Sequence, residues 1–231
     1  MNYYLFMAFQ VLNLTMILAF PTLSSLFSQY FTTDSKGIEE LYPAELALVE
    51  GSASKRKTDF STGRFCARKA LEQLGIDHTE ILRDSGKQPV WPDGIVGSIS
   101  HSSQLTGAIV GKRKDIVSVG LDIETIAGVE LNMWNILFLE SEQQFLNSLN
   151  EEDRNMYPTL LFSLKECFYK FQYPLTRQFL EFNDVEFKMI DEKISIKVIK
   201  EDYDPGYDLE NLQFQWTIAD QQLITLCFLK V

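Results

Sequence analysis

Two segments of helical character, each followed by runs of β type and separated by no low-complexity linker, constrain this chain more than any other feature. "STGRFCARKALEQLG" sets Phe65, Ala67, Leu71 and Leu74 along one face, which predicts a helix with Ser61 or Thr62 as N-cap and Gly75 as its C-terminal stop. "PTLLFSLKECFYKFQ" predicts a second helix over Pro158 to Gln172, with the proline in its first turn. Ser141 and Gln144 in "SEQQFLNSL" have the spacing of a capping box. After the first helix, a Pro-rich loop from Gln88 to Gly94 leads into β-type runs at Ile95 to Ser100, Leu105 to Val110 and Ile116 to Ile123. The last two are joined by the charged turn "GKRKD". From Asp184 onward "DVEFKMI", "KISIKVI", "LQFQWTI" and "LITLCFL" alternate like an antiparallel meander, with turn signals such as "DPG" between them. A long helix with antiparallel strands, twice over, is an α+β layout, without the βαβ rhythm of a parallel nucleotide-binding sheet. GxGxxG and P-loop motifs are absent from the sequence, so those modes of phosphate binding are excluded.

The 231 residues are 45% apolar, enough to bury a substantial core. Cys66, Cys167 and Cys227 are far apart and show no CxxC spacing, which signals neither a disulfide framework nor a zinc site and fits a reducing, cytoplasmic setting. A net charge of −11 argues against nucleic acid as a partner. That charge is uneven, because residues 51–120 carry 11 basic against 7 acidic residues. A basic stretch in an acidic chain points to a specific anionic ligand, the alternative being chance clustering on a solvated surface. Tyr3 to Phe20 is apolar apart from Gln10, Asn13 and Thr15. It lacks a basic leader or a clear cleavage site and is barely long enough to span a membrane, so no membrane role is expected. Residues 1–15 read as an extension ahead of Met16.

Three groups of residues could carry chemistry. Asp122 and Glu124 project from one side of a strand whose preceding "VSVGL" is apolar. Two solvated carboxylates at a strand end are the plain reading, but at the edge of a core unpaired charges are costly, and something cationic should meet them. Glu166 and Lys170 are i,i+4 on the second helix; as a mere intrahelical pair they would contribute about 0.2–0.5 kcal/mol. Beside Asp122 and Glu124, Glu166 would instead complete an all-oxygen site suited to Mg²⁺, with Lys170 as a point charge on a bound phosphate. His101 follows a strand and is flanked by Ser100 and Ser102, a setting suited to hydrogen bonds with phosphate; His78 reads as a surface residue.

Taken in order, "KRKTDFSTGRFCARKALEQLG", "QPVWPDGIVGSISHS", "VGLDIE" and "FSLKECFYK" resemble the 4′-phosphopantetheinyl transferase superfamily, in particular its enterobactin-synthetase-type subgroup. The resemblance runs from about Lys55 to Leu180; Cys167 departs from it, standing where the family commonly has Ala or Ser. It implies an α+β fold of two similar halves with pseudo-twofold symmetry, antiparallel strands packed on helices, and coenzyme A in the cleft between them. Residues 16–123 would form the half that holds the 3′-phosphate, and residues 124–231 the half that holds metal and phosphate. The implied activity, of holo-[acyl-carrier-protein] synthase type, moves the 4′-phosphopantetheine arm of coenzyme A to a serine of an apo carrier protein and releases adenosine 3′,5′-bisphosphate. By the same resemblance Asp122, Glu124 and Glu166 would hold Mg²⁺ or Mn²⁺, and Glu166, Lys170 and His101 would be catalytic. Arg56, Arg64, Arg83, Ser100, His101 and Lys170 would bind coenzyme A. Glu166 foremost, or a metal-held water, would take the serine proton. The expected partners are carriers of fatty-acid, polyketide or nonribosomal-peptide systems, met by a monomer. Docking is expected through apolar contacts near the cleft, with Lys112, Arg113 and Lys114 helping if their turn faces it. A Mg²⁺-dependent nucleotide pyrophosphate hydrolase, or a coenzyme A binding protein without catalysis, are the alternatives.

Overall fold

The structure, a computed structural model, describes residues 19–190 and 193–231. The expected extension over residues 1–15 lies outside the described residues. In chain order the elements are β1 (Phe27–Thr32), α1 (Pro43–Ala47), α2 (Ser54–Glu72), β2 (Ile95–His101), β3 (Thr106–Lys112), β4 (Ile116–Thr125), α3 (Trp134–Leu137), α4 (Glu140–Ser148), α5 (Glu151–Thr176), β5 (Val185–Ile190), β6 (Lys193–Val198), β7 (Gln213–Ala219) and β8 (Gln222–Lys230).

One connectivity occurs twice. β1, α2, β2 and β3 form a three-stranded sheet of order β1–β3–β2, and β4, α5, β7 and β8 form another of order β4–β8–β7. All pairings in both sheets are antiparallel. The fold is therefore α+β, built from two topologically equivalent halves. A boundary at residue 123 falls inside β4, which pairs with β8 over almost its whole length and so belongs to the second sheet. The C-terminal meander divides as well: β7 and β8 join β4, whereas β5 and β6 make a separate hairpin.

Both long helices begin earlier than their apolar faces suggest. α2 starts at Ser54 behind Ala53, which offers no capping side chain. Ser61 and Thr62 are buried inside the helix, and their hydroxyls donate to the carbonyls of Lys57 and Thr58, one turn back, at 2.8 Å. The expected N-cap at Ser61 or Thr62 is thus corrected, because a mid-helix hydroxyl satisfies itself on the i−4 carbonyl. Gly75 does end the segment, with φ +77, while the Ile76 amide returns to the Leu71 carbonyl. α5 is capped by Asn150, whose side chain accepts from the Asp153 amide at 2.9 Å, and Glu151, Glu152 and Asp153 suit the positive end of the helix dipole. Pro158 therefore stands two turns inside α5, not in its first turn. At α4, Glu142 rather than Gln144 reaches back, accepting from the Leu139 amide at 2.9 Å, and Ser141 donates to Glu186.

The halves meet where β2 runs beside β4. The backbones are held apart by side chains: Ser98 Oγ accepts from the Leu121 amide at 3.0 Å and Ser100 Oγ from the Ile123 amide at 3.2 Å. Alternate residues on one strand meeting alternate residues on the other keep the two strands parallel and in register. On its other side β4 lies against α5, and the contact is backbone to backbone at Gly120. A side-chain carbon there would overlap the Cys167 carbonyl and come within 2.8 Å of the Phe171 amide nitrogen. α5 is anchored from beneath by Lys165, fully enclosed, whose ammonium donates to Glu142 at 2.6 Å and to the carbonyls of Leu137 and Phe182 at 2.9 Å. These three acceptors use all three of its protons, as a buried charge requires.

Candidate active site

A cavity of about 830 Å³ opens along this seam, walled by α2, the loop from Arg83 to Gly97, the ends of β2 and β4, and one face of α5. Its volume is in the range that encloses a cofactor-sized ligand. Asp122, Glu124, Glu166 and Lys170 line it and act on one another's charge, and so do Arg56, Arg64 and Arg83, with His101 also on the wall. Every residue expected to act in the site therefore faces one space. What each does there differs from the sequence reading in several places.

Asp122 is 2% exposed and accepts three hydrogen bonds. Its Oδ1 takes the Lys170 ammonium at 2.6 Å and the Ser100 hydroxyl at 3.0 Å; its Oδ2 takes the Ser163 hydroxyl at 2.8 Å. Lys170 therefore pairs across to β4 rather than along its own helix to Glu166. Burial works against its charge, yet Asp122, with Glu166 beyond, holds its pKa above the ordinary lysine value. Ser100, expected at a phosphate, instead donates to Asp122 and accepts from Lys170 at 3.0 Å and from the Ile123 amide. Its donor and both lone pairs are used. Ser163 and Thr225 were not singled out in the sequence. Thr225 lies opposite Asp122 in the β4–β8 ladder, with its hydroxyl 2.8 Å from that of Ser163. The cue available was a hydroxyl residue one turn before Glu166 in "FSLKE".

The carboxylates of Glu124 and Glu166 have neither a hydrogen bond nor an ion pair among the described residues. Burial, then the charges of Asp122 and Glu166, push the Glu124 carboxyl up to about 7 against the pull of Lys170. Burial, with Asp122 adding to it, raises Glu166 too, again opposed by Lys170. With all three carboxylates ionised and Lys170 protonated, the group carries a surplus of two negative charges. An all-oxygen donor set with that surplus fits Mg²⁺ or Mn²⁺ in kind. It is not preorganised for one: among the described residues no group of three or more His, Cys, Asp or Glu stands close enough to hold a metal ion.

The cationic part is the converse. The Arg64 and Arg83 guanidiniums sit 4.3 and 4.6 Å from the centre of the Phe60 ring. Arg64 is buried and donates through Nε to the Ile81 carbonyl at 2.6 Å, so it is partly committed to holding that loop. Burial, then repulsion by Arg83, brings its pKa down to about 10, with Arg56 adding a little. Arg83 is lowered by burial and by Arg56. The surface pair of Arg56 with Asp59 does not form, since Asp59 is taken by Lys55 at 2.9 Å. Arg64 and Arg83 thus each feel a neighbouring arginine's charge in addition to their burial. His101 is kept below its ordinary pKa mainly by burial, partly offset by Asp59. Arg113 also lines the cavity and Arg177, at the end of α5, closes one rim by pairing with Asp84 at 2.5 Å. His78 takes no part in the cavity.

Residues 44–111 match the 4′-phosphopantetheinyl transferase N-terminal domain, and residues 118–227 match the 4′-phosphopantetheinyl transferase superfamily. The division between the two matches falls at the turn between β3 and β4, where the two sheets also divide. The chain is 36% identical over 152 residues to the 4′-phosphopantetheinyl transferase PptT of Mycobacterium tuberculosis, the match covering 66% of each chain. It is 31% identical over 198 residues to the 4′-phosphopantetheinyl transferase Npt of Nocardia iowensis, covering 80% of this chain and 87% of that one. It is 27% identical over 190 residues to enterobactin synthase component D of Escherichia coli, covering 81% of this chain and 84% of that one.

Proposed function

Because the chain belongs to the 4′-phosphopantetheinyl transferase superfamily, we propose that it moves the 4′-phosphopantetheine arm of coenzyme A onto a serine hydroxyl of an apo carrier protein. The observation that carries this reading is the two-signed cavity. One part gathers Arg56, Arg64 and Arg83, of which burial and a neighbouring arginine lower the last two, and the other gathers Asp122, Glu124 and Glu166, of which burial and a neighbouring carboxylate raise the last two. Coenzyme A offers a counterpart to each, a 3′-phosphate dianion for the arginines and a pyrophosphate for the lysine and a carboxylate-held cation.

In the reaction the serine oxygen attacks the phosphorus that bears the pantetheine arm. The bond from that phosphorus to the bridging oxygen breaks, and adenosine 3′,5′-bisphosphate leaves with the electron pair. Asp122, Glu124 and Glu166 are the oxygen donors for Mg²⁺ or Mn²⁺, which when bound neutralises charge on the pyrophosphate. Glu166, whose basicity burial increases, takes the serine proton. Lys170 and His101 contact the phosphates, and Arg56, Arg64 and Arg83 hold the 3′-phosphate far from the reacting bond. The partner is a carrier protein or domain of a fatty-acid, polyketide or nonribosomal-peptide synthase, reached by a monomer in the cytoplasm. Among the described residues no helix is long and apolar enough to cross a membrane.

One assay separates this reading from its rivals. The protein is incubated with coenzyme A, Mg²⁺ and a panel of apo carriers, and both the carrier mass and the nucleotide products are followed. Transfer adds one phosphopantetheine to a carrier, in step with release of adenosine 3′,5′-bisphosphate and only with divalent metal. Cleavage of coenzyme A with every carrier unmodified would mean a hydrolase, and intact coenzyme A with tight binding would mean a non-catalytic binder.

A further inference from the structure

Asp122 is the carboxylate at the centre of the site, yet neither of its oxygens is free. Ser163 holds Oδ2, and Ser163 is itself held, since the Thr225 hydroxyl reaches both its hydroxyl and its carbonyl, at 2.8 and 3.1 Å. Ser100 and Lys170 share Oδ1. Rotating the carboxylate to offer another oxygen would break buried hydrogen bonds on both sides. The two serines are neutral and almost wholly buried, at 5% and 0% exposure, and they belong to β2 and to the face of α5 that packs on β4 and β8. Lys170 is different. Its side chain is 28% exposed, its stem is flexible, and it faces the cavity, so it is the group that can leave.

We propose that Lys170 is the resident cation of this site, and that its ammonium and a divalent metal ion compete for Asp122 Oδ1. An anionic phosphate entering the cavity would then draw Lys170 off Asp122 and open that oxygen to the metal. Three carboxylates face this cavity, and the competition turns on the one of them, Asp122, that the Lys170 ammonium contacts. It also gives Lys170 two positions with one charge, on Asp122 when the cavity is empty and on phosphate when it is filled. Metal and phosphate ligand must therefore favour each other's binding through Lys170, in addition to any direct contact between them. The identity of that phosphate as coenzyme A rests on the transferase reading; the competition for Asp122 does not.

The test uses the full chain stripped of metal. Mn²⁺ is titrated in and the free ion is counted by electron paramagnetic resonance, for the wild type, Lys170→Met and Lys170→Arg, each with and without coenzyme A. Removing a unit charge from beside the carboxylates should tighten Mn²⁺ binding without coenzyme A by roughly tenfold or more in Lys170→Met. Lys170→Arg, which keeps the charge, should stay near the wild type. The gain in Mn²⁺ affinity on adding coenzyme A should shrink in Lys170→Met. Equal or weaker Mn²⁺ binding in Lys170→Met would overturn the proposal. A second measurement needs no folded Met variant: in wild-type protein carrying ¹⁵N-lysine, Mg²⁺ alone at saturation should shift the Lys170 ammonium signal, assigned by its loss in Lys170→Arg. A signal that stays in place while Mg²⁺ displaces Mn²⁺ would overturn it equally. Neither readout involves a carrier, so a failure of the transferase reading would be seen separately.

Discussion

A carboxylate that accepts three hydrogen bonds at a buried seam is part of the framework as well as the site, and at the scale of single residues this separates Asp122 from its neighbours. Asp122→Ala leaves Lys170, Ser100 and Ser163 without their acceptor, and urea denaturation of the metal-free protein should show a loss of about 2–4 kcal/mol. Glu124 behaves oppositely. Its carboxyl is raised to about 7 in the folded protein, above the ordinary glutamate value near 4.3, so the folded state binds the extra proton between those limits. Its contribution to metal-free stability is full below the lower limit and is lost as pH rises through the upper one. The thermal midpoint should therefore fall between pH ~5 and ~8 in the wild type and fall less in Glu124→Gln, where that proton no longer titrates. Among the described residues Arg56 has no hydrogen-bond or ion-pair partner for its side chain, whereas Arg64 donates to the Ile81 carbonyl. Arg56→Ala should raise the KM for coenzyme A on the order of tenfold, with little change for dephospho-coenzyme A, because it removes one charge-assisted bond to the 3′-phosphate. Equal losses on both substrates would place Arg56 elsewhere. Arg64→Ala should weaken coenzyme A binding and also loosen the loop at Ile81, since its Nε proton is already spent there.

At the scale of elements, β4 and α5 carry the site between them, and their contact at Gly120 sets its width. Gly120→Ala should cost about 1–3 kcal/mol and also disturb Asp122 two residues on, so activity should fall further than stability explains. Lys165 and Glu142 make the reverse case, a fully enclosed pair on the far side of α5 from the cavity. Truncating either should destabilise by about 3–5 kcal/mol, and Lys165→Met with Glu142→Leu should not restore the wild type in urea denaturation, because the Leu137 and Phe182 carbonyls and the Leu139 and Phe187 amides lose these side-chain partners as well. Much of this was legible in the sequence and some was not. The strand ending in Asp122 and Glu124, and the helix bearing Glu166 and Lys170, were marked by their own apolar periodicity. The first turns of α2 and α5 were hidden because "SKRKTD" and "EEDRN" are polar on every side and stay exposed or half-buried, with the first packed rings only at Phe60 and Tyr157. The Lys165–Glu142 pair could not be read, since an exposed lysine and a buried one look alike in a sequence.

At the scale of the molecule, the duplicated βαββ connectivity places two helices across one seam and gives each a different sign of charge to present. The site residues singled out from the sequence all line one cavity, because each motif kept its own local spacing. Their partners within the chain were not legible, because whether Lys170 meets Glu166 on its own helix or Asp122 on a neighbouring strand is decided by the approach of α5 to β4. The same holds for Ser100, whose hydroxyl joins the two sheets. The central claim is that this one cavity performs the transfer, with Glu166 at the serine. The measurement that tests it most directly is the mass of an apo carrier after incubation with coenzyme A, Mg²⁺ and either wild type or Glu166→Gln, with both proteins first shown to melt alike and to bind coenzyme A alike. The wild type should convert the carrier to its phosphopantetheinylated form, while Glu166→Gln, keeping the shape but losing both the base and one charge of the metal donor set, should leave it unmodified over the same time. Conversion by Glu166→Gln at the wild-type rate would contradict the account.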